Sequence, residues 1–369
     1  MKRVRTPSEV EHAARIQSRL CSRLLRWFKL YQRDLPWRGS HDPYQIWVSE
    51  VMLQQTRVDT VVRFYDKFLK AFPTVEFLAA APLDRVLKKW EGLGYYARAR
   101  NLHRAAGVVA RDYDGEVPEN FQQFSALPGV GRYTAGAVLS IAFGLPFPVL
   151  DGNVKRVLAR LFAIRSDIRK PATERRLWQL ATSLLPDRDV GDFNQSLMEL
   201  GATVCIPDNP LCPKCPVRPL CRAFESGDPS AFPVISARKP VPHATVAAGV
   251  IWSRGRILIA QRPLNGLLGG LWEFPGGKKE AGESLVHCLQ REIREELGIE
   301  IAVHRKLLVV RHAYTHLKVT LHFFDCTHLS GTPRAIGCEA FKWVRPTGLS
   351  RYAFPAANHP ILDLLRAHR

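Results

Sequence analysis

The sequence predicts two domains in series: an all-α lobe that closes on a cysteine-ligated cofactor loop, then a mixed α/β domain. Three observations predict this arrangement. Apolar residues recur at helical spacing through residues 1–224. Four cysteines crowd together at the end of that stretch, as Cys205-x6-Cys212-x2-Cys215-x5-Cys221. After a Pro-, Ser- and Gly-rich connector at 225–243, the apolar pattern over 244–369 turns to that of strands mixed with helices.

The helical pattern begins near Pro7. Ile46, Val48, Val51, Met52 and Leu53 make one apolar set, and Leu177, Leu180, Ala181, Leu184 and Leu185 another. Breakers fall at Leu35-Pro36, Phe72-Pro73, Ala81-Pro82 and Leu145-Pro146, and Thr74 and Asp84 read as helix starts. The lobe should hold about ten helices and no strand. The connector ends in Arg238-Lys239-Pro240-Val241-Pro242. Beyond it, Thr245–Trp252, Arg256–Gln261, Leu307–Val310 and Lys318–Cys326 read as strands, Leu285–Leu297 as a helix, and Pro360–His368 as a closing helix.

Composition bounds the function. A chain of 369 residues with 46% apolar content is long enough for two ordinary cores. No apolar run approaches the ~18 residues of a membrane helix. The net charge of +19 suits a polyanionic partner, most simply nucleic acid. No basic amphipathic anchor points to a membrane instead. Residues 1–20 are charged and lack the apolar core of a secretory signal, which predicts reduced thiols and a cytoplasmic or nucleoid setting.

Four close cysteines can hold zinc or an iron–sulfur cluster. Zinc sites tend to show two short pairs well apart, and only one short pair is present here. The other cysteines, Cys21, Cys288, Cys326 and Cys338, fit no ligand pattern. Upstream, Leu127-Pro128-Gly129-Val130-Gly131 lies between two helical patterns. Successive backbone N–H groups in such a turn bind phosphate, although a plain helix–helix turn uses the same glycines. Asp151, in Val149-Leu150-Asp151-Gly152-Asn153-Val154, reads as a helix N-cap whose carboxylate can also face a bound sugar.

Hairpin, aspartate and cysteine loop in this order resemble the endonuclease III superfamily of DNA glycosylases. The resemblance implies a helix–hairpin–helix lobe with a 4Fe–4S cluster on Cys205, Cys212, Cys215 and Cys221, and DNA contacts from Gly129, Val130 and Gly131. Endonuclease III carries a Schiff-base lysine just after the hairpin glycines. Here the motif is Gly131-Arg132-Tyr133-Thr134, so the lyase nucleophile is missing and hydrolysis alone is expected.

Several longer motifs, Pro36-Trp37-Arg38, Ser49 through Val58, Gly92 through Leu102, Phe193-Asn194-Gln195 and Glu199-Leu200-Gly201-Ala202, resemble the MutY family of adenine glycosylases. That resemblance implies Glu50 as proton donor to adenine and Asp151 as the ionised stabiliser of the sugar cation, with Tyr133 and Asn153 positioning them. It implies an adenine pocket at Trp37, Leu53 and Gln195. Gln55 and Tyr95 would be wedges, Thr56 a contact to the opposite base, and Arg38, Arg98 and Arg100 phosphate contacts.

The second domain contains a complete Nudix box, Gly277-x5-Glu283-x7-Arg291-Glu292-Ile293-Arg294-Glu295-Glu296-Leu297-Gly298-Ile299. Glu292, Glu295 and Glu296 share one helix face, where either a divalent cation such as Mg2+ or the nearby Arg291 and Arg294 would offset their repulsion. The run Gly266 through Pro275 again resembles the MutY family, whose Nudix-like domain recognises 8-oxoguanine. Tyr314-Thr315-His316 stands where that family has a Phe-Ser-His turn. The whole chain therefore reads as a monomeric adenine glycosylase acting on double-stranded DNA with adenine opposite 8-oxoguanine or guanine. Its rivals are a Nudix diphosphatase tethered to a DNA-binding lobe, and an iron–sulfur protein that only marks lesions.

Overall fold

The computed structural model describes residues 9–236 and 240–367. Pro7, the Arg238-Lys239 step of the connector and His368 of the closing helix lie outside the described residues. Contacts divide the chain into two compact units, residues 9–79 with 104–236, and residues 80–103 with 240–367.

The first unit is helical, as expected. Twelve α-helices lie between Glu9 and Glu225, one of them, Leu83–Trp90, in the second unit; the excess over ten comes from single-turn pieces such as Val75–Ala79 and Phe121–Ser125 that are too short to show a period. Pro43–Leu53 carries the first predicted acid. Asp42 caps it, accepting from Tyr44 N at 2.8 Å, and Pro43 fills the first turn, where no N–H is needed. This helix is buried almost all round, so even Ser49 and Glu50 lie inside. Arg132–Phe143, Gly152–Leu161 and Val190–Thr203 complete the frame of the site. Their backbones meet closely. A Cβ on Gly191 would lie 2.6 Å from Ser140 O, and one on Gly201 would lie 2.6 Å from Asn153 Cβ. Val154, Leu158, Leu177, Phe193 and Leu197 form the apolar interior behind these contacts.

Two expectations change. Residues 80–103, which helical spacing groups with the first lobe, pack with the second unit. Polar partners explain this. Asp84 accepts from Gln261 Nε2 at 2.9 Å and Trp272 Nε1 at 3.3 Å, Glu91 accepts from Phe354 N at 2.9 Å, and Arg100 donates to Gly269 O at 2.6 Å. The connector is also only partly free. Arg160, 2% exposed, donates to Pro229 O and Phe232 O, Ile168 N donates to Val234 O, and Asp167 accepts from Ser236 N, so residues 229–236 are held on the helical unit.

The second unit is built on one mixed sheet. Its strands are β1 (His243–Ser253), β2 (Arg256–Gln261), β3 (Trp272–Glu273), β4 (Gly276–Lys278), β5 (Glu300–Ala313), β6 (Lys318–Ser330) and β7 (Ala340–Val344). The order is β3-β2-β1-β6-β5, with β4 on β1 and β7 on β2. Only β1 and β6 run parallel. The expected strand at Leu307–Val310 is the middle of the long β5, whose register shifts between Val303 and Leu308 break its alternation. Leu285–Leu297 forms as expected, from the Ser284 cap to left-handed Gly298, and buries Leu289, Ile293 and Leu297.

Arg160 ties the cysteine loop to its helix by donating to the carbonyls of Cys205, Ile206, Pro207, Pro229 and Phe232. Arg160→Ala leaves these acceptors without their charged donor. Stability should fall by about 2–4 kcal/mol, read as a lower Tm in thermal unfolding. A loss within ~0.5 kcal/mol would mean that the loop is held by something else.

Candidate active site

A cavity of about 560 Å³ opens in the helical unit and gathers Trp37, Glu50, Leu53, Tyr133, Asp151 and Gln195. The predicted acids and pocket residues, far apart in sequence, therefore share one space. Trp37 is buried edge-on against Tyr65. Gln195 accepts from Arg38 Nη1 at 2.8 Å.

Glu50 is 5% exposed, and its Oε2 accepts from the Tyr133 hydroxyl at 2.6 Å. Burial pushes its pKa up to about 7, against the opposing Tyr133 bond and with help from the nearby Asp151 charge. Asp151 differs in its surroundings. It caps Gly152–Leu161, accepting from Val154 N at 2.7 Å and Asn153 Nδ2 at 2.9 Å. Burial raises its pKa too, but two donors, the Arg156 charge and the positive end of a helix all favour the carboxylate. The proton of the pair therefore belongs on Glu50. A chain of contacts runs on from Asp151. Arg156 Nη2 donates to Asn153 Oδ1 at 2.8 Å and Gly201 O at 2.7 Å, and its Nε donates to Cys205 O at 2.8 Å. One acid that keeps its proton near neutrality beside one that loses it can cleave a glycosidic bond.

Gly129, Gly131, Gln55 and Thr56 line the same cavity. Gly129 and Gln55 both have positive φ, 77° and 57°. Val130 differs from expectation, because its side chain is buried and its N–H is committed to Leu127 O at 3.1 Å. The outward backbone of the hairpin thus falls to the two glycines. Arg38 also departs from its expected phosphate role. It is ion-paired to Glu199 at 2.5 Å inside the pocket wall. Arg98 is likewise buried, and donates to Leu93 O and Gly94 O beneath the turn that carries Tyr95. Glu199 belongs to a motif noted in the sequence, but nothing in the spacing marked it as part of the pocket.

Cys205, Cys212, Cys215 and Cys221 line one small cavity with Arg160, which donates to Cys205 Sγ at 3.4 Å. Among the described residues, no group of three or more His, Cys, Asp or Glu side chains is arranged to hold a single metal ion.

In the second unit the turn Tyr314-Thr315-His316 links β5 to β6. Thr315 and His316 are exposed, and the Thr315 hydroxyl meets that of Tyr95 at 2.5 Å. Tyr314 instead turns inward against the core, its ring edge-on to His312. The box acids do not converge as a metal cage. Arg291 pairs with Glu283, Glu292 and Glu295 at 2.9–3.1 Å. Glu296 stands apart, lining a cavity of about 420 Å³, and burial beside Glu273 and Glu292 pushes its pKa up to about 8.

Comparison with known proteins agrees with this geometry. The family model described as HhH-GPD superfamily base excision DNA repair protein matches residues 48–183, and a NUDIX domain model matches 247–364. The solved structure of a thermostable thymine-DNA glycosylase is similar at 33% identity and a TM-score of 0.52, covering 58% of this chain and 98% of that one. A trapped endonuclease III–DNA covalent intermediate is similar at 25% identity and a TM-score of 0.50, with the same coverage. Fold and site together define a DNA N-glycosylase of the helix–hairpin–helix superfamily. The human adenine DNA glycosylase is 39% identical over 87% of this chain and 69% of its own length, and the mouse enzyme 36% over 94% and 78%. This chain belongs to the adenine DNA glycosylase family.

Glu50 must be protonated to act as an acid, so single-turnover adenine release should hold below about pH 7 and fall as pH rises through that value. Glu50→Gln should lower the rate roughly 10²–10⁴-fold while duplex affinity, read by gel shift, is kept. An unchanged alkaline limb in a Glu50→Asp variant of altered pKa would assign the proton to another group.

Proposed function

We propose that the protein hydrolyses the N-glycosidic bond of adenine mispaired with 8-oxoguanine or guanine in double-stranded DNA, leaving the strand intact. The observation that carries this reading is the Glu50–Tyr133–Asp151 constellation in one cavity that no lysine lines. The extruded adenine enters between Trp37 and Leu53. Glu50 passes its proton to a ring nitrogen of adenine as the bond to C1′ lengthens, which makes adenine a neutral leaving group. Asp151, kept ionised by Val154 N, Asn153 and the helix terminus, stabilises the positive charge that grows on the sugar. Glu50, now a carboxylate, accepts a proton from the water that completes the hydrolysis. Tyr133 holds Glu50 in register from the position where a lyase would carry its amine. Arg132 cannot replace that amine, since its guanidinium is stacked 4.0 Å above Trp178.

A 4Fe–4S cluster suits the four cysteines. A single zinc ion needs its sulfurs about 3.8 Å apart, closer than a cluster does. Burial and the neighbouring thiols push Cys215 up to about 12, so the four hold thiolates together only against a strongly bound cationic group. Such a group would order the loop and its basic residues rather than act on the base. We assign the second unit to reading 8-oxoguanine through Thr315 and His316, with the box serving as a structural clasp rather than a Mg2+ site. One extruded base needs only one pocket, which a monomer working at the nucleoid supplies.

The test uses duplexes with one adenine opposite 8-oxoguanine, guanine or thymine, followed by alkali. Strand breaks should appear only after alkali, fastest opposite 8-oxoguanine, and Glu295→Gln should leave them unchanged. Breaks without alkali would indicate a lyase, and equal rates opposite all three bases would remove the mispair assignment.

A further inference from the structure

Glu199 has no assigned role in the reaction, yet it is the most heavily bonded carboxylate of the pocket. It sits on Val190–Thr203 and is 1% exposed. It accepts from Arg33 Nε at 2.7 Å, Arg33 Nη2 at 3.0 Å, Arg33 N at 3.3 Å and Arg38 Nη2 at 2.5 Å. One buried carboxylate thus answers two guanidiniums. Arg38 lines the same cavity as Glu50. Its Nη1 goes to Gln195, and its guanidinium rests 4.9 Å from the centre of the Phe28 ring. Its Nε is buried with no hydrogen-bond partner.

This arrangement holds a hazard. A guanidinium close to a carboxylic acid favours the ionised form, and an ionised Glu50 cannot give a proton to adenine. Arg38 is the cation that bears on Glu50. The other groups facing Glu50 are Tyr133 from Arg132–Phe143, which donates to it, and Asp151 at the head of Gly152–Leu161, whose negative charge favours the proton. From Val190–Thr203, Gln195 and Glu199 both bind Arg38.

We propose that Glu199 is a positioning residue for the reaction, holding Arg38 in the pocket wall and offsetting its charge so that Glu50 keeps its proton. Arg38 then serves as a scaffold for Gln195 without becoming the ion-pair partner of the acid. Without the Glu199 charge, Arg33 and Arg38 repel one another, and the charge of Arg38 bears more fully on Glu50.

The test is a pair of pH profiles with opposite expected signs, measured as single-turnover adenine release from a saturating mispaired duplex. Glu199→Gln keeps the side-chain shape and removes the charge. More of the Arg38 charge then falls on Glu50, its proton is lost earlier, and the alkaline limb should move about one unit to lower pH. Arg38→Gln removes the cation, so its limb should move to higher pH. The double variant should return toward the parent. A uniform loss at every pH with the limb in place, or movement of both single variants in the same direction, would overturn the proposal. If Glu199→Gln does not fold, the Arg38→Gln profile decides alone, and an unshifted limb there refutes the idea. Melting temperature and duplex affinity of each variant separate these outcomes from general loss of structure.

Discussion

The proton on Glu50 is the constraint around which the helical unit is arranged. A carboxylic acid keeps its proton near neutrality only where water is excluded and few donors reach it. Pro43–Leu53 meets the first condition by being apolar on nearly every face, which places Glu50 among Trp47, Val48, Val51 and Met52 rather than at a surface. The second is met by admitting one donor, Tyr133. Asp151 lies in the same cavity and is buried too, but it sits at a helix start with two donors on its carboxylate. Burial raises the pKa of both side chains, and the donors at the helix start favour the charged form of Asp151 more than the single Tyr133 bond favours that of Glu50.

That geometry is itself anchored from the cysteine loop. Gly152–Leu161 carries Asp151 at its first end and Arg156 and Arg160 along its length, and both arginines donate to the carbonyl of Cys205. Arg156 also holds Asn153, which donates to Asp151. The loop that the four cysteines close therefore sets the position of the helix that presents the carboxylate. Gly201 allows this close approach, since any side chain there would meet Asn153.

In the second unit the same arithmetic of charge gives a different result. Three box carboxylates share Arg291, whose guanidinium offsets part of the repulsion that a metal ion would otherwise offset. Glu296, which faces a cavity, is left to hold a proton by burial. The turn that links β5 to β6 is meanwhile tied to Tyr95 by paired hydroxyls. This brings a residue from the Gly92–Leu102 motif beside one from the second domain within a single compact unit.

Much of this was legible in the sequence, and particular residues show why. Helical spacing is a local signal, so the apolar set from Ile46 to Leu53 and the helix Leu285–Leu297 could be read directly. Long motifs marked Glu50, Asp151 and Tyr133, and the spacing of the cysteines marked their common cavity. Strands of two, three and five residues, β3, β4 and β7, could not be read, because a period needs more residues than they have. The packing of residues 80–103 with the second unit was also hidden, since it rests on Asp84 and Glu91 finding partners more than 170 positions away. Above all, sequence alone could name the arginine at position 38 but not its direction. Local order follows from near neighbours along the chain, whereas the ion pair that turns Arg38 inward to Glu199 exists only once distant helices have packed and excluded water.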